Sequence, residues 1–364
     1  MSTVAIQHIK SDGHQVILGR HCLGEFAELL STEAFSGAKL FILVDENTAK
    51  YCLPALISKV SILSDAEVLE IGVGEESKSI EISTQLWSVL SELNADRGSV
   101  LINLGGGVIT DLGGFVAGTY KRGIRFFNIP TTLLAQVDAS VGGKVGINHD
   151  GLKNEIGLFN NPNTVFIDPD FLSTLPRKHL LSGFSEMIKH GLICDKDYWV
   201  KLKEVSFFEL ESLDESILTS IKIKNEIVSS DPFESGRRKI LNFGHTIGHA
   251  VESYSFESDT KEVLHGEAVA MGMVCESFIS HRMGMLREDE LQEITAFIFS
   301  HYTRIFIDQL VFHRLIELMN HDKKNRDGEI KMSLIQGIGN AVIDKAVKAD
   351  VIIDSLNFYA RWVN

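Results

Sequence analysis

The chain has 364 residues, 44% hydrophobic and 23% charged, which suits two domains or one large α/β unit with a sizeable core and excludes a disordered polymer. Against 35 Lys and Arg stand 49 Asp and Glu, a net charge of -14, which repels a nucleic-acid backbone and argues against a nucleic-acid partner. Four widely spaced cysteines (Cys22, Cys52, Cys194 and Cys275) with no C-x-x-C pair exclude a disulfide framework and a thiolate zinc site, and read as buried small hydrophobes. In chain order, the opening MSTVAIQHIKSDGHQV lacks the apolar stretch of a signal peptide, and no run of about 18 apolar residues follows. A cytoplasmic protein with no membrane partner is expected. Residues 3–9 and 14–19 alternate in the strand manner about Asp12-Gly13, predicting a hairpin. Strand-like runs recur at KLFILVDEN (39–47), AEVLEIGVG (66–74), SVLINLGGG (99–107), IRFFNIPTT (124–132) and TVFIDPD (164–170), with helical stretches between several of them. This alternation predicts a parallel, Rossmann-like sheet with ligand loops at the strand C-termini. After Phe171 helical spacing takes over, in LLSGFSEMIKHGLI (180–193), SILTSIKIKNEIVSS (216–230), HGEAVAMGMVCESFISHRMG (265–284) and HRLIELMNHDKK (313–324). The expectation is a Rossmann-like α/β domain over residues 1–175 and a mainly α-helical domain over 176–364.

Two motifs carry chemistry. Gly105-Gly106-Gly107-Val108-Ile109-Thr110-Asp111 follows an apolar strand and precedes a helical stretch, so its backbone N–H groups can approach a phosphate at a helix N-terminus. It departs from the usual dinucleotide fingerprint: Thr110 stands at the third glycine position, and the acidic Asp45 lies about 60 residues upstream instead of about 20 downstream. A tight turn with close packing and a nucleotide site of non-standard order both remain open. The second motif is His245-Thr246-Ile247-Gly248-His249, followed by His265-Gly266-Glu267, with Glu186 in a helical segment upstream. Histidines at i and i+4 share a helical face, as two zinc ligands must, and spacing alone favours His245 with His249. A structural histidine pair is the alternative. Lys144, Lys153, Lys189, Lys224, Arg237 and Arg238 stand near these glycines and histidines, as an anion pocket or as a solvated basic face.

Five segments, LINLGGGVITDLGGFVAGTYKRGI (101–124), IPTTLLAQVDASVGGKVGIN (129–148), GFSEMIKHGLI (183–193), RRKILNFGHTIGHAVE (237–252) and LHGEAVAMGM (264–273), stand in an order that resembles the 3-dehydroquinate synthase family over nearly the whole chain. The resemblance implies a cytoplasmic homodimer of the shikimate pathway, which uses NAD and Zn2+, with Co2+ as a possible substitute. Its zinc ligands would be Glu186, His245 and His265, with His249 beside the metal. NAD would be bound by Asp45, Glu75, Lys78, Gly106, Gly107, Asp111, Thr131, Thr132, Lys144, Lys153, Phe171, Ser173 and Thr174. Substrate would be bound by Asp138, Lys144, Lys153, Asn154, Lys189, Lys224, Arg238, Asn242 and His249, and by Lys323 or Lys324. Among these, Lys144, Lys189, Lys224, Arg238, Asn242 and His249 would carry catalysis. The implied reaction takes 3-deoxy-D-arabino-heptulosonate 7-phosphate to 3-dehydroquinate and phosphate, through transient oxidation by NAD, β-elimination of phosphate, reduction and an intramolecular aldol closure. Related readings are a 2-deoxy-scyllo-inosose or epi-valiolone synthase, a glycerol-dehydrogenase-like NAD and metal enzyme, and a silent metal or nucleotide binder. Lys224, Asn242 and the DKK lysine match the dehydroquinate pattern, and a dehydrogenase would not need so many cations.

Overall fold

A computed structural model of the chain describes residues 5–11, 13–150, 152–207, 210–257, 263–320 and 329–363. Asp12 of the first turn and Lys323 and Lys324 lie outside the described residues. The chain divides into two compact units, one formed by Met1–Pro176 with Phe207–Ser229, the other by Arg177–Ser206 with Ser230–Asn364.

The first unit is built on a sheet whose apolar runs sort by the two-residue period of a strand. Its strands are β1 (Gln7–Ser11), β2 (His14–Leu18), β3 (Leu40–Asp45), β4 (Glu67–Ile71), β5 (Val100–Gly105), β6 (Arg125–Pro130) and β9 (Thr164–Ile167). They lie in the order β1-β2-β9-β6-β5-β3-β4, and only the β1–β2 hairpin is antiparallel. Phe41, Leu43 and Leu101 pack on one face with Leu86, Leu112, Phe115 and Phe126. Ile42, Val44, Val100 and Ile102 pack on the other with Phe26, Leu56, Phe127 and Phe166. All six residues of β5 are buried, as a central parallel strand covered on both faces requires. β7 (Lys144–His149) and β8 (Leu152–Phe159) form a separate antiparallel hairpin.

The second unit is mainly helical. The helix His265–Arg282 is buried on nearly every side, from Gly266 through Ser280, the mark of a central helix. The helices Arg177–Cys194 and His245–Glu257 also belong to this unit, as does the hairpin of β10 (Ile330–Ile335) and β11 (Ala341–Val347). Neither β7–β8 nor β10–β11 was expected from the sequence. Cys22, Cys52 and Cys275 are buried, Cys194 is partly buried, and all four are free thiols.

Candidate active site

In the first unit, β3 leads to β4 on one side while its other neighbour β5 leads to β6 on the opposite side. Connections thus diverge between β3 and β5, the kind of switch point beyond which open α/β sheets bind ligands. Asp45 ends β3, and Gly105 ends β5 directly before the helix Gly107–Thr119. The Asp45 carboxylate accepts the Thr48 N–H at 2.8 Å, capping the helix Glu46–Tyr51. A Cβ on Gly106 would come within 3.1 Å of Thr132 Cγ2, and one on Gly107 within 3.3 Å of Ala139 Cβ. The turn is therefore a cradle that side chains would fill, and it fits the pyrophosphate of a dinucleotide at a helix N-terminus. Thr131 N–H donates to Gly105 O at 3.0 Å, joining the ends of β6 and β5. Burial pushes the Cys52 thiol up to about 11 against hydrogen bonds with Thr131 and Thr174, so these two threonines share a neighbour. Phe171 is buried in the core, whereas Ser173 donates to Asp170 O at 2.7 Å within its own turn.

A polar cluster adjoins the helix Gly107–Thr119. Lys78, buried, meets Asp111 at 2.6 Å and also contacts Asn154 Oδ1. Burial raises the Asp111 carboxyl, and Lys78 opposes the rise. Asn154, with φ 54°, takes its backbone position from a 3.0 Å bond to Asn148 Oδ1, and Asn148 donates to Glu75 at 2.9 Å. Lys153 Nζ lies 4.0 Å from Glu75 Oε1. Lys224, on the helix Asp214–Ser230, donates to both the backbone oxygen (2.6 Å) and the carboxylate (2.5 Å) of Asp138. Asp138 sits in a one-turn π-helix, Ala135–Ala139, a distortion common at functional sites. Lys144 stands at the start of β7 and is exposed.

In the second unit, Glu186, His245 and His265 come from three different helices, and their candidate ligand atoms lie within 4.8 Å of one another. Backbone contacts that tolerate only glycine set this convergence. A Cβ on Gly266, next to His265, would run into the backbone of Ser182, one turn before Glu186. A Cβ on Gly272 would run into the carbonyl of Gly244, next to His245. Gly244 has φ 80°, and a Cβ there would meet Met273 Cγ at 2.7 Å.

Glu186 is fully buried, and among the described residues its carboxylate meets the Lys189 ammonium, one turn along the helix, and no further hydrogen-bond donor. The Nε2 atoms of His245 and His265 stand 3.5 and 3.9 Å from Glu186 Oε1. Their Nδ1 atoms are engaged elsewhere: His245 with Phe243 O at 3.1 Å, His265 with Glu252 Oε2 at 3.2 Å. Such outer partners fix which ring nitrogen faces the centre. Burial, then the charge of Lys189 and the neighbouring His249 and His265, hold His245 well below the ordinary imidazolium value, leaving it neutral with a lone pair to give. A buried carboxylate facing the neutral His245 imidazole and the Nε2 of His265 is a donor set that suits a divalent zinc- or cobalt-like ion. His249 is exposed, its ring 5.0 Å from His245 and 5.8 Å from His265. The i, i+4 pair that spacing favours is thus adjacent, but the imidazoles facing Glu186 are His245 and His265.

Arg238 is buried, donating from Nη1 to Pro232 O at 2.6 Å, and Asn242 donates to Glu234 at 2.7 Å. Two buried carboxylates escaped the sequence reading, Glu252 beside His265 and Glu276, which accepts the N–H groups of Gly244 and Ile247. For Glu252 a signal existed: it lies two helical turns past His245, on the same face.

A family model described as 3-dehydroquinate synthase N-terminal matches residues 68–182, and its C-terminal counterpart matches residues 183–325. A 3-dehydroquinate synthase of Parabacteroides distasonis is 44% identical over 350 residues, covering 95% of this chain and 97% of that relative. A solved 2-deoxy-scyllo-inosose synthase, complexed with carbaglucose-6-phosphate, NAD+ and Co2+, has a TM-score of 0.85 at 23% identity and covers 99% of this chain and 100% of its own. The 2-epi-5-epi-valiolone synthase of Streptomyces hygroscopicus, with NAD+ and Zn2+ bound, has a TM-score of 0.81 at 24% identity, covering 98% and 99%. At these identities the two structures share the fold. No helix among the described residues is long and apolar enough to cross a membrane.

Proposed function

Because the chain belongs to the 3-dehydroquinate synthase family, we propose that it converts 3-deoxy-D-arabino-heptulosonate 7-phosphate to 3-dehydroquinate and phosphate, using NAD and a divalent metal, preferably zinc. The observation that carries the metal half of this reading is the buried Glu186 carboxylate, which meets only the Lys189 ammonium among the described hydrogen-bond donors and faces the Nε2 atoms of His245 and His265. In this reading residues 1–175 form the NAD-binding domain and 176–364 the metal- and substrate-binding domain, with Lys224 supplied from the second stretch to the first compact unit. A cytoplasmic homodimer acting in the shikimate pathway belongs to the same reading, on the family resemblance.

When bound, NAD supplies reversible hydride acceptance and the metal supplies polarisation of substrate oxygens. The side chains of this chain bind and steer. Asp45, with one oxygen on the Thr48 N–H, offers the other to ribose hydroxyls. Gly106, Gly107, Thr131 and Thr132 cradle the pyrophosphate, Lys78 and Asp111 order the floor beside it, and Glu75, Phe171, Ser173 and Thr174 line the remainder. Lys144, Lys153, Lys189, Lys224 and Arg238 provide cations for a substrate that carries a phosphate and a carboxylate, and they stabilise the leaving phosphate. Asp138 aims the Lys224 ammonium through two hydrogen bonds. Asn154 and Asn242 serve substrate hydroxyls, and exposed His249 beside His245 holds or transfers a proton.

The deciding experiment incubates the protein with the heptulosonate phosphate, zinc and a catalytic amount of NAD. Inorganic phosphate should appear in large excess over NAD, together with the cyclic product and without growth of NADH absorbance. NADH rising in proportion to substrate consumed would move the chain to net dehydrogenation, and no phosphate release would reject the reading.

A further inference from the structure

We propose that Glu276 is a positioning residue for His245: from the neighbouring helix, it caps the backbone that presents this imidazole. The proposal rests on the reading of Glu186, His245 and His265 as metal ligands. The helix His245–Glu257 starts directly after Gly244, so the position before it has no side chain to accept the N–H groups of the first turn, which need acceptors when buried. Glu276 supplies them. Fully buried on the helix His265–Arg282, it accepts Gly244 N–H at 2.6 Å through Oε2 and Ile247 N–H at 3.2 Å through Oε1. The helix that bears Glu276 begins at His265, so one side chain ties the backbone of one candidate ligand to the helix carrying another. The approach depends on Gly272, one turn before Glu276, where any Cβ would strike the Gly244 carbonyl. Burial pushes the Glu276 carboxyl up to about 8, against the N–H groups of Gly244, Ile247 and Thr246 that hold it down. A group this unfavourable to bury is explained by what it holds. No other described acceptor takes over the Gly244 N–H, and His245 Nδ1 in turn rests on the carbonyl of Phe243, one residue earlier.

The test uses the full chain. Glu276→Gln keeps the length and one acceptor oxygen but turns an amide NH2 toward the same N–H donors, whereas Glu276→Leu removes both acceptors. Zinc affinity is read by competition with a chromophoric chelator, alongside NAD affinity and the thermal midpoint. We expect Glu276→Gln to bind zinc about 10-fold or more weakly, the scale on which outer partners of metal ligands act, with NAD affinity unchanged. The cobalt-loaded Gln variant should also show an altered visible absorption spectrum. Glu276→Leu should lose more, and if it fails to fold the Gln variant decides. A lowered thermal midpoint with zinc affinity within about twofold of the parent would mean a purely structural role and overturn the proposal. The two readings fail differently. If the parent binds zinc no better than His265→Ala does, the ligand assignment falls and this proposal with it. If the parent binds zinc in a His265-dependent way and Glu276→Gln matches it, only the role of Glu276 falls.

Discussion

Lys189 is almost completely buried, and its anionic partner is Glu186, a carboxylate that two imidazoles also face. Removing one cation from a buried anion contact costs about 2–5 kcal/mol, or roughly 30- to 4,000-fold in transition-state stabilisation. Lys189→Ala and Arg238→Ala should therefore each lower kcat/KM by at least about 30-fold with NAD affinity at the parent value. Steady-state kinetics and a cofactor titration decide this; near-normal kcat/KM in both would leave these buried residues a purely structural role. Arg238 also depends on Asp231. Burial alone would raise the Asp231 carboxyl, but the N–H groups of Gly236, Ser235 and Arg238, with the Ser235 hydroxyl, outweigh it and bring the group from the ordinary 3.8 down to about 2. A depressed carboxyl contributes stability that is present above about 3.8 and is lost as pH falls through about 2. Asp231→Asn should flatten the stability profile in that window, measured by denaturant unfolding between pH 4 and 2, and an unchanged acid limb would refute the assignment. These residues were legible to unequal depth. Helical spacing reports which side chains share a face of one helix, so it finds His245 and His249 together but says nothing of the third helix that brings up Glu186. The burial of Glu252 and Glu276 between helices is a tertiary fact that spacing does not report, although the place of Glu252 two turns past His245 was a signal.

Among the elements, the parallel strands were legible because burial on both faces leaves a mainly apolar run, as in Val100–Gly105, where Asn103 is the one polar side chain. The later hairpins, β7–β8 and β10–β11, were not, whereas the opening β1–β2 hairpin was. In β8 most of the residues from Asn154 to Phe159 are exposed, and β11 has one fully buried position, Val347, so their composition resembles loop. Helix packing in the second unit was legible only as scattered glycines. Gly272→Ala inserts a methyl group where the Gly244 carbonyl already sits and where Gly248 N is 3.0 Å away. Overpacking of this kind typically costs about 1–3 kcal/mol. The variant should show a reduced thermal midpoint together with weaker metal retention in dialysis, since relief of the clash requires the His245 and His265 helices to separate. A midpoint equal to the parent's would show that the contact yields without consequence.

At the scale of the molecule, neither unit is a continuous stretch of chain: the path changes unit after Pro176, after Ser206 and after Ser229. The helix Asp214–Ser230, which belongs almost wholly to the first unit, is tied to it by Arg20, whose guanidinium grips Asp214 at 2.9 and 3.0 Å and Asp170 at 2.6 Å, and by Lys224 on Asp138. This interleaving bears on how the protein is made. On a ribosome that adds roughly 5–20 residues per second, the sheet strands through β9 emerge first, but Arg20, Asp170 and Asp138 have no partners from this helix until the segment 177–206 has also been extruded. That segment in turn must wait for Ser230 and beyond before its own unit can close. Synthesis therefore exposes one unfinished surface on each unit at the same time, and a nascent chain halted between residues 177 and 213 would hold the partly buried Arg20 without its Asp214 carboxylate.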